Sequence, residues 1–426
     1  MLNNLTLKNF KALREIQIDF GRITIFIGPN SSGKSSALQA LTLLKQSRGQ
    51  SQLVTSGNLS NLGNYSDVAH RYTRDKQIEY RISGTVPEPS MGYARLEYEV
   101  RFDQNGMVRS QHLGVDSPAF TVNGQWNSLG NSSIEPEPIR VFRSTVNMVP
   151  QRIVTEPIRI NSLTFDQDAD EVDRERAQTV LRAIFSGIAD LLSRVYVVPA
   201  LRGFDKPVYP LQDSSVTDFF TSSSPDHHAA SVLSTILYRR ELEEAISRFS
   251  SRALGVRLGV RAVPPKQVAA EAQSDNGSRI NLVNEGFGAN QLIGLLAQLV
   301  VSPPDSIVCI EEPEIHLHPR AQSALAGVFS EFVADGARRI VLTTHSEHIL
   351  MGLLTEVAQG RLEAGQLRVY YMQKDTTGVA HAELLEVDEL GRLSGGMKGF
   401  FEANIDELEN YLKALSQENT PRKTKR

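Results

Sequence analysis

The residues with the clearest chemical meaning form a glycine-rich run near the start of the chain. The run reads Gly28-Pro29-Asn30-Ser31-Ser32-Gly33-Lys34-Ser35 and fits the pattern G-x-x-x-x-G-K-[ST]. In such a loop, backbone N–H groups surround phosphate oxygens, and the N-terminus of the following helix adds its positive dipole end. Lys34 would reach the β- and γ-phosphates, and the Ser35 hydroxyl would bind Mg²⁺. A chance glycine-rich turn is the alternative, but the strand pattern before the loop and the helix pattern after it favour phosphate binding. The predicted cofactor contacts are Gly28, Pro29, Asn30, Ser31, Ser32, Gly33, Lys34, Ser35 and Ser36.

An apolar strand that ends in carboxylates is the second chemical pattern. Residues 306–314 read SIVCIEEPE. In a phosphate-binding enzyme such a strand delivers one acid to the Mg²⁺ shell and another to the attacking water. We assign Glu311 to the metal, through water, and Glu312 as the general base. A strand end with solvated acids is the simpler alternative, which the Lys34 loop disfavours. We expect the two strands to be neighbours, so that their tips converge on one magnesium triphosphate.

Two weaker patterns could add to this chemistry. The buried strand pattern over residues 340–344 ends at His345, which could contact the γ-phosphate and sense its loss, although a lone histidine is more often structural. Gly286, Gly288 and Asn290 precede a strongly apolar helix pattern. A glycine-rich helix start is a potential second phosphate site, but a helix cap without a ligand would look identical.

The elements that must position these residues fall into two α/β blocks. Period-2 alternation predicts strands near Leu5–Leu7 and Ile16–Phe20, and the chain is strand-like again from about 77 to 122. We expect an antiparallel lobe there. Residues 125–275 read as an insertion that is partly helical. The predicted organisation is 1–124 and 276–386 as two halves of one domain, 125–275 as the insertion and 387–426 as a small tail.

Composition limits the class of protein. The 426 residues carry 45 basic and 49 acidic side chains, a net charge of −4, which argues against a constitutively basic nucleic-acid coat protein. The single cysteine, Cys309, excludes a disulfide framework and a multi-cysteine metal site, and we interpret it as a packing residue. No apolar run approaches the length of about 20 residues that a membrane helix needs, and no signal-peptide pattern opens the chain. We therefore expect a cytoplasmic protein with no membrane contact.

Taken in order, these motifs resemble those of the ABC-type ATPases of the SMC/RecF/OLD group, where OLD denotes the overcoming-lysogenization-defect family. The opening Leu7-Lys8-Asn9-Phe10-Lys11-Ala12 is similar to that group's first strand, and the resemblance covers about residues 1–110 and 280–375. It implies a P-loop NTPase of ABC type with a mixed central sheet, an antiparallel β lobe and an inserted, mainly helical region. The resemblance also implies the cofactors ATP and Mg²⁺. By it, residues 315–319 match the D-loop and His345 matches the switch histidine.

The same resemblance implies partners and a biological role. Gly286, Gly288 and Asn290 match the signature motif, which reaches the ATP of a partner subunit in a homodimer or higher oligomer. Long coiled coils and a Toprim nuclease domain have no counterpart in the sequence, so a separate effector, nuclease or toxin, is implied. The implied role is a DNA-linked process such as antiphage defence or DNA repair. The alternative is an ATP-binding regulatory scaffold that assembles or restrains a toxin-like partner with little turnover.

Several positions depart from the group or stay open. The metal strand ends in Glu-Glu where ABC proteins usually have Asp-Glu, and the signature lacks the usual Ser-Gly-Gly run. The Q-loop has only weak candidates, which are Gln50, Gln52 and Asp67. The basic stretch over 239–261 is read as a salt-bridged surface, with a nucleic-acid path as the less favoured alternative. Residues 199–203 resemble a recurrent Pro-x-x-Arg element to which the sequence assigns no chemistry.

Overall fold

A computed structural model describes the chain in eleven stretches. They are residues 1–71, 76–88, 92–116, 121–127, 139–141, 144–147, 162–164, 187–198, 202–212, 225–274 and 276–394. The acidic run at 166–170, which is read from sequence as a solvated loop, lies outside the described residues. So do most of residues 171–194, where the sequence has helical periodicity, most of residues 213–225, which read as a Ser/Asp/Thr-rich loop, and the part of the predicted 387–426 tail beyond residue 394.

Strands dominate the described chain, and seven helices are numbered with them in chain order. The strands are β1 Leu2–Phe10, β2 Leu13–Asp19, β3 Ile23–Ile27, β4 Glu79–Glu88, β5 Gly92–Phe102, β6 Val108–Asp116, β7 Thr121–Asn127, β8 Ile139–Val141, β9 Ser144–Asn147, β10 Ser162–Thr164, β11 Val195–Val198, β12 Tyr209–Pro210, β13 Val256–Val263, β14 Gln267–Ser274, β15 Arg279–Asn281, β16 Ile307–Glu311, β17 Arg339–Thr344, β18 Leu367–Lys374 and β19 Ala380–Leu385. The helices are α1 Lys34–Gln46, α2 Tyr65–Val68, α3 Pro225–Tyr238, α4 Arg240–Leu254, α5 Phe287–Val301, α6 Pro319–Val333 and α7 Glu347–Ala358.

One mixed sheet organises the molecule. Its order in the described residues is β11-β16-β17-β3-β18-β19-β2-β1-β4-β5-β6-β7. The first five strands are parallel neighbours, whereas the run from β2 to β7 is antiparallel. The parallel strands carry continuous apolar runs because helices cover both faces, while β1 and β2 alternate because one face meets solvent. The predicted mixed α/β sheet with an antiparallel lobe is confirmed.

The parallel strands separate two hydrophobic clusters. In β3, Phe26 points to the cluster that contains α1 and the antiparallel lobe, whereas Ile23, Ile25 and Ile27 point to the cluster that contains α5, α6 and α7. Cys309 is fully buried in β16, and its burial raises the pKa of the thiol to about 12. Its predicted role as a packing residue is confirmed.

The range predicted to be an insertion contributes more to the central sheet than the sequence indicates. Within residues 125–275, β11 forms the edge of the central sheet beside β16. The sequence indicates an apolar strand before Pro199, but a run of four residues does not reveal which sheet it joins, and sequence reasoning placed it in the insertion. The rest of the described insertion contains α3 and α4 together with β12, β13 and β14, which form a separate sheet with β15. Among the described residues, none of the helices combines the length and the apolar character that crossing a bilayer requires.

Candidate nucleotide site

The loop after β3 has an unusual backbone conformation that depends on its glycines. Gly28 has a φ of +152°, and a Cβ there would lie 2.1 Å from the carbonyl oxygen of Met372 on β18. Ser31 and Gly33 also have positive φ values, of 61° and 103°, so the loop curls back on itself before α1 begins. Gly33 occupies the N-cap of α1 and offers no capping side chain. This geometry leaves the helix start open to an anion.

Lys34 lies inside this loop. The side chain is 4% exposed, and its Nζ donates hydrogen bonds to the carbonyl oxygens of Gly28 at 3.0 Å and Pro29 at 2.8 Å. Burial lowers the pKa of the ammonium group to about 8, and the nearby Glu312 and Glu314 oppose that shift. The loop therefore holds a cation at its mouth, as the sequence predicts for a phosphate site.

The acidic strand tip reaches the same place, although the predicted adjacency of the two strands is wrong. β17 lies between β16 and β3 in the sheet. His345, which follows β17, bridges the gap: its Nδ1 lies 3.5 Å from the Nζ of Lys34, and its Nε2 lies 3.4 Å from the Oε1 of Glu312. The carboxyl ends of the three parallel strands lie at the same end of the sheet, so the side chains converge although β3 and β16 are not neighbours.

The two carboxylates at the tip differ in environment. Glu311 is half-buried, and its burial together with the neighbouring Glu312 raises the pKa of its carboxyl group. Glu312 exposes 36% of its side chain and has a positive φ of 44°, with its N–H donating to the carbonyl of Thr343 at 2.9 Å. Its carboxylate is thus open to solvent, which suits a base that must meet a water molecule.

The donor set suits Mg²⁺ brought in with a triphosphate. Mg²⁺ prefers oxygen ligands and usually takes one or two carboxylates or hydroxyls together with substrate phosphates. Ser35 and Glu311 are both half-buried and supply such oxygens. Among the described residues, the buried Oγ of Ser32 and Oε2 of Glu314 lack a hydrogen-bond partner, and both residues belong to the two motifs that converge here. Unpartnered buried oxygens are expected where a ligand completes the site.

The second glycine-rich helix start has a different construction. Gly286 is the exposed N-cap of α5, with a φ of −55° and open space around its Cα. A Cβ on Gly288 would lie 2.3 Å from the carbonyl oxygen of His316, so this helix start packs on the segment predicted to be the D-loop. Phe287 is 51% exposed, and its ring meets that of His316 edge-to-face at 4.6 Å.

The side chain of Asn290 makes its hydrogen bonds within this chain. Its side chain is 7% exposed; its Oδ1 accepts from the N–H of Phe204 at 2.8 Å, and its Nδ2 donates to the carbonyl of Phe204 at 2.8 Å. The amide of Asn290 thus anchors the chain at Phe204, and its contact with a partner's nucleotide stays a prediction.

Comparisons with known proteins agree with this geometry. One family model, described as "AAA domain, putative AbiEii toxin, Type IV TA system", matches residues 155–351, and another, described as "AAA ATPase domain", matches residues 1–134. The structure of the SmcHead bound to the C-winged helix domain of ScpA has a TM-score of 0.52 at 13% identity, covering 91% of this chain and 98% of that chain. Two AAA-domain family models therefore match separate parts of the chain, and its fold resembles that of an SMC head.

Other comparisons add less. The SMC head domain from Thermotoga maritima has a TM-score of 0.42 at 14% identity, covering 91% of this chain and 99% of that chain. No curated protein matches the chain.

The sequence assigns no role to two residues of this candidate nucleotide site. Arg202 is 4% exposed and donates from one guanidinium nitrogen to the carbonyl of Glu311 at 2.9 Å and from the other to that of Glu312 at 3.0 Å. The Oε1 of Glu314 accepts from the Thr344 hydroxyl at 2.7 Å and from the N–H of His345 at 2.6 Å. Both stand inside motifs that the sequence analysis quotes, but their partners lie about 30 or 110 positions away in the chain, beyond the reach of local pattern.

Other sequence interpretations are resolved by contacts. Asp67 caps α2 by accepting from the N–H of Asn64 at 2.8 Å, which disfavours it as the Q-loop residue. The Nδ1 of His318 accepts from the N–H of Arg320 at 3.3 Å as the N-cap of α6, which is a structural role for this histidine. In the basic stretch, five arginines contact carboxylates, which favours the salt-bridged surface. They are Arg239, Arg240, Arg248, Arg252 and Arg261.

Proposed function

We propose that this chain is an Mg²⁺-dependent ATPase that dimerises around ATP and uses hydrolysis as a switch. The observation that carries the proposal is the line of contacts from Lys34 through His345 to Glu312, at 3.5 and 3.4 Å. A cation for phosphate oxygens and a solvent-open carboxylate thus lie on either side of one imidazole. That arrangement fits a γ-phosphate between a phosphate-binding lysine and a base for water.

Each residue has a distinct role in the proposed reaction. Lys34 leaves the Gly28 and Pro29 carbonyls to bind the β- and γ-phosphates, because phosphate is the stronger acceptor for an ammonium group. Ser35 and Glu311 hold Mg²⁺, which neutralises phosphate charge. Glu312 accepts a proton from the attacking water. His345 contacts the γ-phosphate and loses that contact after hydrolysis.

The exposed start of α5 supports a head-to-tail homodimer. Gly286 is exposed and surrounded by open space, and Phe287 is an exposed aromatic residue beside it. A partner's ATP would bind to the backbone at Gly286 and Gly288, where the helix N-terminus favours negative charge. Loss of the γ-phosphate would then loosen the interface, which makes the dimer a binding-energy switch.

Calorimetry and light scattering test the proposal directly. Lys34→Ala should remove ATP binding, whereas Glu312→Gln should bind ATP and accumulate as a dimer, because the interface forms but hydrolysis cannot release it. The matched control is Arg239→Ala, which removes an exposed arginine whose side chain pairs with the exposed Glu241. Wild-type protein that takes up no ATP, or a Glu312→Gln variant that stays monomeric with saturating ATP, would refute the switch.

For the biological role, we propose a DNA-linked process such as antiphage defence or repair, with a separate nuclease or toxin as effector. One matching family model is described as "putative AbiEii toxin, Type IV TA system". This description favours the second candidate, an ATP-binding scaffold that assembles or restrains a toxin-like partner. ATPase rates with and without duplex DNA separate the two. Stimulation by DNA supports the first, and slow turnover that DNA does not change supports the scaffold.

A further inference from the structure

Arg202 holds the tip of the acidic strand by its backbone. Its two terminal guanidinium nitrogens donate to the carbonyl oxygens of Glu311 and Glu312, at 2.9 and 3.0 Å. A planar guanidinium presents its N–H groups in a rigid fork, so it fixes two acceptors relative to each other in a way that a single ammonium cannot. The two carbonyls belong to the residues proposed to hold Mg²⁺ and to activate water.

The backbone at this tip needs such support. Glu312 has a φ of +44°, in the left-handed region that a residue with a side chain rarely adopts. Residues in this region persist when surrounding contacts over-determine them, and such residues concentrate at active sites. The bond from Arg202 to the Glu312 carbonyl, together with the bond from the Glu312 N–H to Thr343, restrains the peptide units on both sides of that φ angle.

The other end of Arg202 is fixed to α5. Its backbone N–H donates to the Oε1 of Gln291 at 3.0 Å, and a Cβ on Gly294 would lie only 2.0 Å from its carbonyl oxygen. Asn290 makes two hydrogen bonds of 2.8 Å with the backbone of Phe204, two residues further along the chain. The segment 202–204 therefore lies in close contact with the helix whose N-terminus is proposed to meet the partner's nucleotide.

Arg202 is a costly residue for mere packing. It is 4% exposed, and its Nε has no hydrogen-bond partner among the described residues. Burial lowers the pKa of the guanidinium to about 10, against the influence of Glu314 and Glu312, so the group remains charged at neutral pH. An apolar side chain would fill the same space without the desolvation cost, but could not hold two carbonyl oxygens.

We propose that Arg202 is a positioning residue for ATP hydrolysis, which fixes the Glu311–Glu312 backbone against α5. This inference rests on the proposed ATPase function. Arg202 acts through the two glutamates, because its bonds at the tip go to their carbonyl oxygens. Through α5, the same contacts link the helix start that meets one nucleotide to the acids that act on the other.

Steady-state kinetics of three variants test the proposal. Arg202→Gln should lower kcat by about 100-fold, the cost of misplacing catalytic groups by about 1 Å, while the Kd for ATP from calorimetry stays unchanged. Arg202→Lys keeps the charge and one donor to a carbonyl, so its kcat should lie between those of Arg202→Gln and the wild type. The control Arg239→Gln should match the wild type. A wild-type kcat for Arg202→Gln, or a loss that falls on KM alone, would overturn the proposal.

A second measurement guards against loss of folding in Arg202→Gln. Gln291→Ala removes the bond to the Arg202 N–H and leaves the guanidinium in place; it should also lower kcat more than it raises KM, but by a smaller factor than Arg202→Gln. Hydrogen exchange over residues 311–317 should speed up in Arg202→Lys and not in Arg239→Gln. Hydrogen exchange needs no turnover, so unchanged exchange would refute the proposal that Arg202 fixes the Glu311–Glu312 backbone even if the wild type is inactive. An inactive wild type with faster exchange in Arg202→Lys would refute only the proposed ATPase function.

Discussion

The two glycine-rich helix starts of this molecule look alike in sequence and differ in construction. The loop before α1 has positive φ values at Gly28, Ser31 and Gly33, and its lysine is buried within it. The start of α5 has an ordinary φ at Gly286 and an exposed phenylalanine beside it. The first is a closed loop whose own residues are proposed to bind phosphate, and the second is an open surface that is proposed to need a partner.

Whether a helix N-terminus can bind phosphate therefore depends on the strands and loops that pack around it. At α1 the surroundings are β18, which lies against Gly28, and the tips of β16 and β17, which bring Glu312 and His345. At α5 they are the D-loop segment at His316 and the chain at Phe204. Substitutions in the loop before α1 and at the start of α5 test this difference separately.

Gly28→Ala should have the largest effect. Its Cβ would meet the Met372 carbonyl oxygen at 2.1 Å in a backbone conformation that favours glycine, so we expect about 3 kcal/mol or more of destabilisation together with loss of ATP binding. Chemical denaturation and calorimetry measure the two losses. Wild-type stability and affinity in this variant would contradict the closed loop that is proposed to bind phosphate.

Asn290→Ala should come second. It leaves the buried N–H and carbonyl of Phe204 without their side-chain partner, which should lower the free energy of unfolding by about 2–3 kcal/mol. The exposed Asn284, changed to Ala, is the control. Unchanged stability with loss of ATP-dependent dimerisation would instead support the nucleotide contact that the sequence suggests.

Gly286→Ala should have the smallest effect on the fold. A Cβ there meets open space at an ordinary φ, so the free energy of unfolding should change by less than about 1 kcal/mol, the scale of an N-cap substitution. The affinity of the monomer for ATP should be unchanged, and only ATP-dependent self-association, followed by light scattering, should weaken. A drop in monomer affinity would contradict the assignment of this surface to a partner's nucleotide.

Sequence reasoning reached those features that lie within one short segment. The P-loop, the acidic strand end and the switch histidine each follow a buried strand, and period-2 alternation predicted β1 and β2 because one face of the sheet meets solvent. The mixed sheet follows from the same patterns. Strand order does not: the position of β17 between β16 and β3 depends on packing between distant segments, and so the expected adjacency was wrong.

The remaining failures have the same cause. Arg202 and Glu314 contact groups at the ends of other strands, and a residue type carries no record of partners about 110 or 30 positions away. The apolar strand before Pro199 is visible in the sequence but its place in the central sheet is not, and Asn290 looks the same from sequence whether it binds a nucleotide or the chain at Phe204. In each case the information lies in tertiary contacts, which local propensity cannot reveal.

The central claim is that the Lys34 loop and the Glu312 tip act on one nucleotide. The most direct test measures kcat and the Kd for ATP in Glu312→Gln, whose amide preserves the shape of the side chain without its basicity. We expect kcat of this variant to fall by about 10²- to 10⁴-fold, the usual contribution of a general base, while its Kd for ATP stays that of the wild type. Hydrolysis at the parent rate would contradict it.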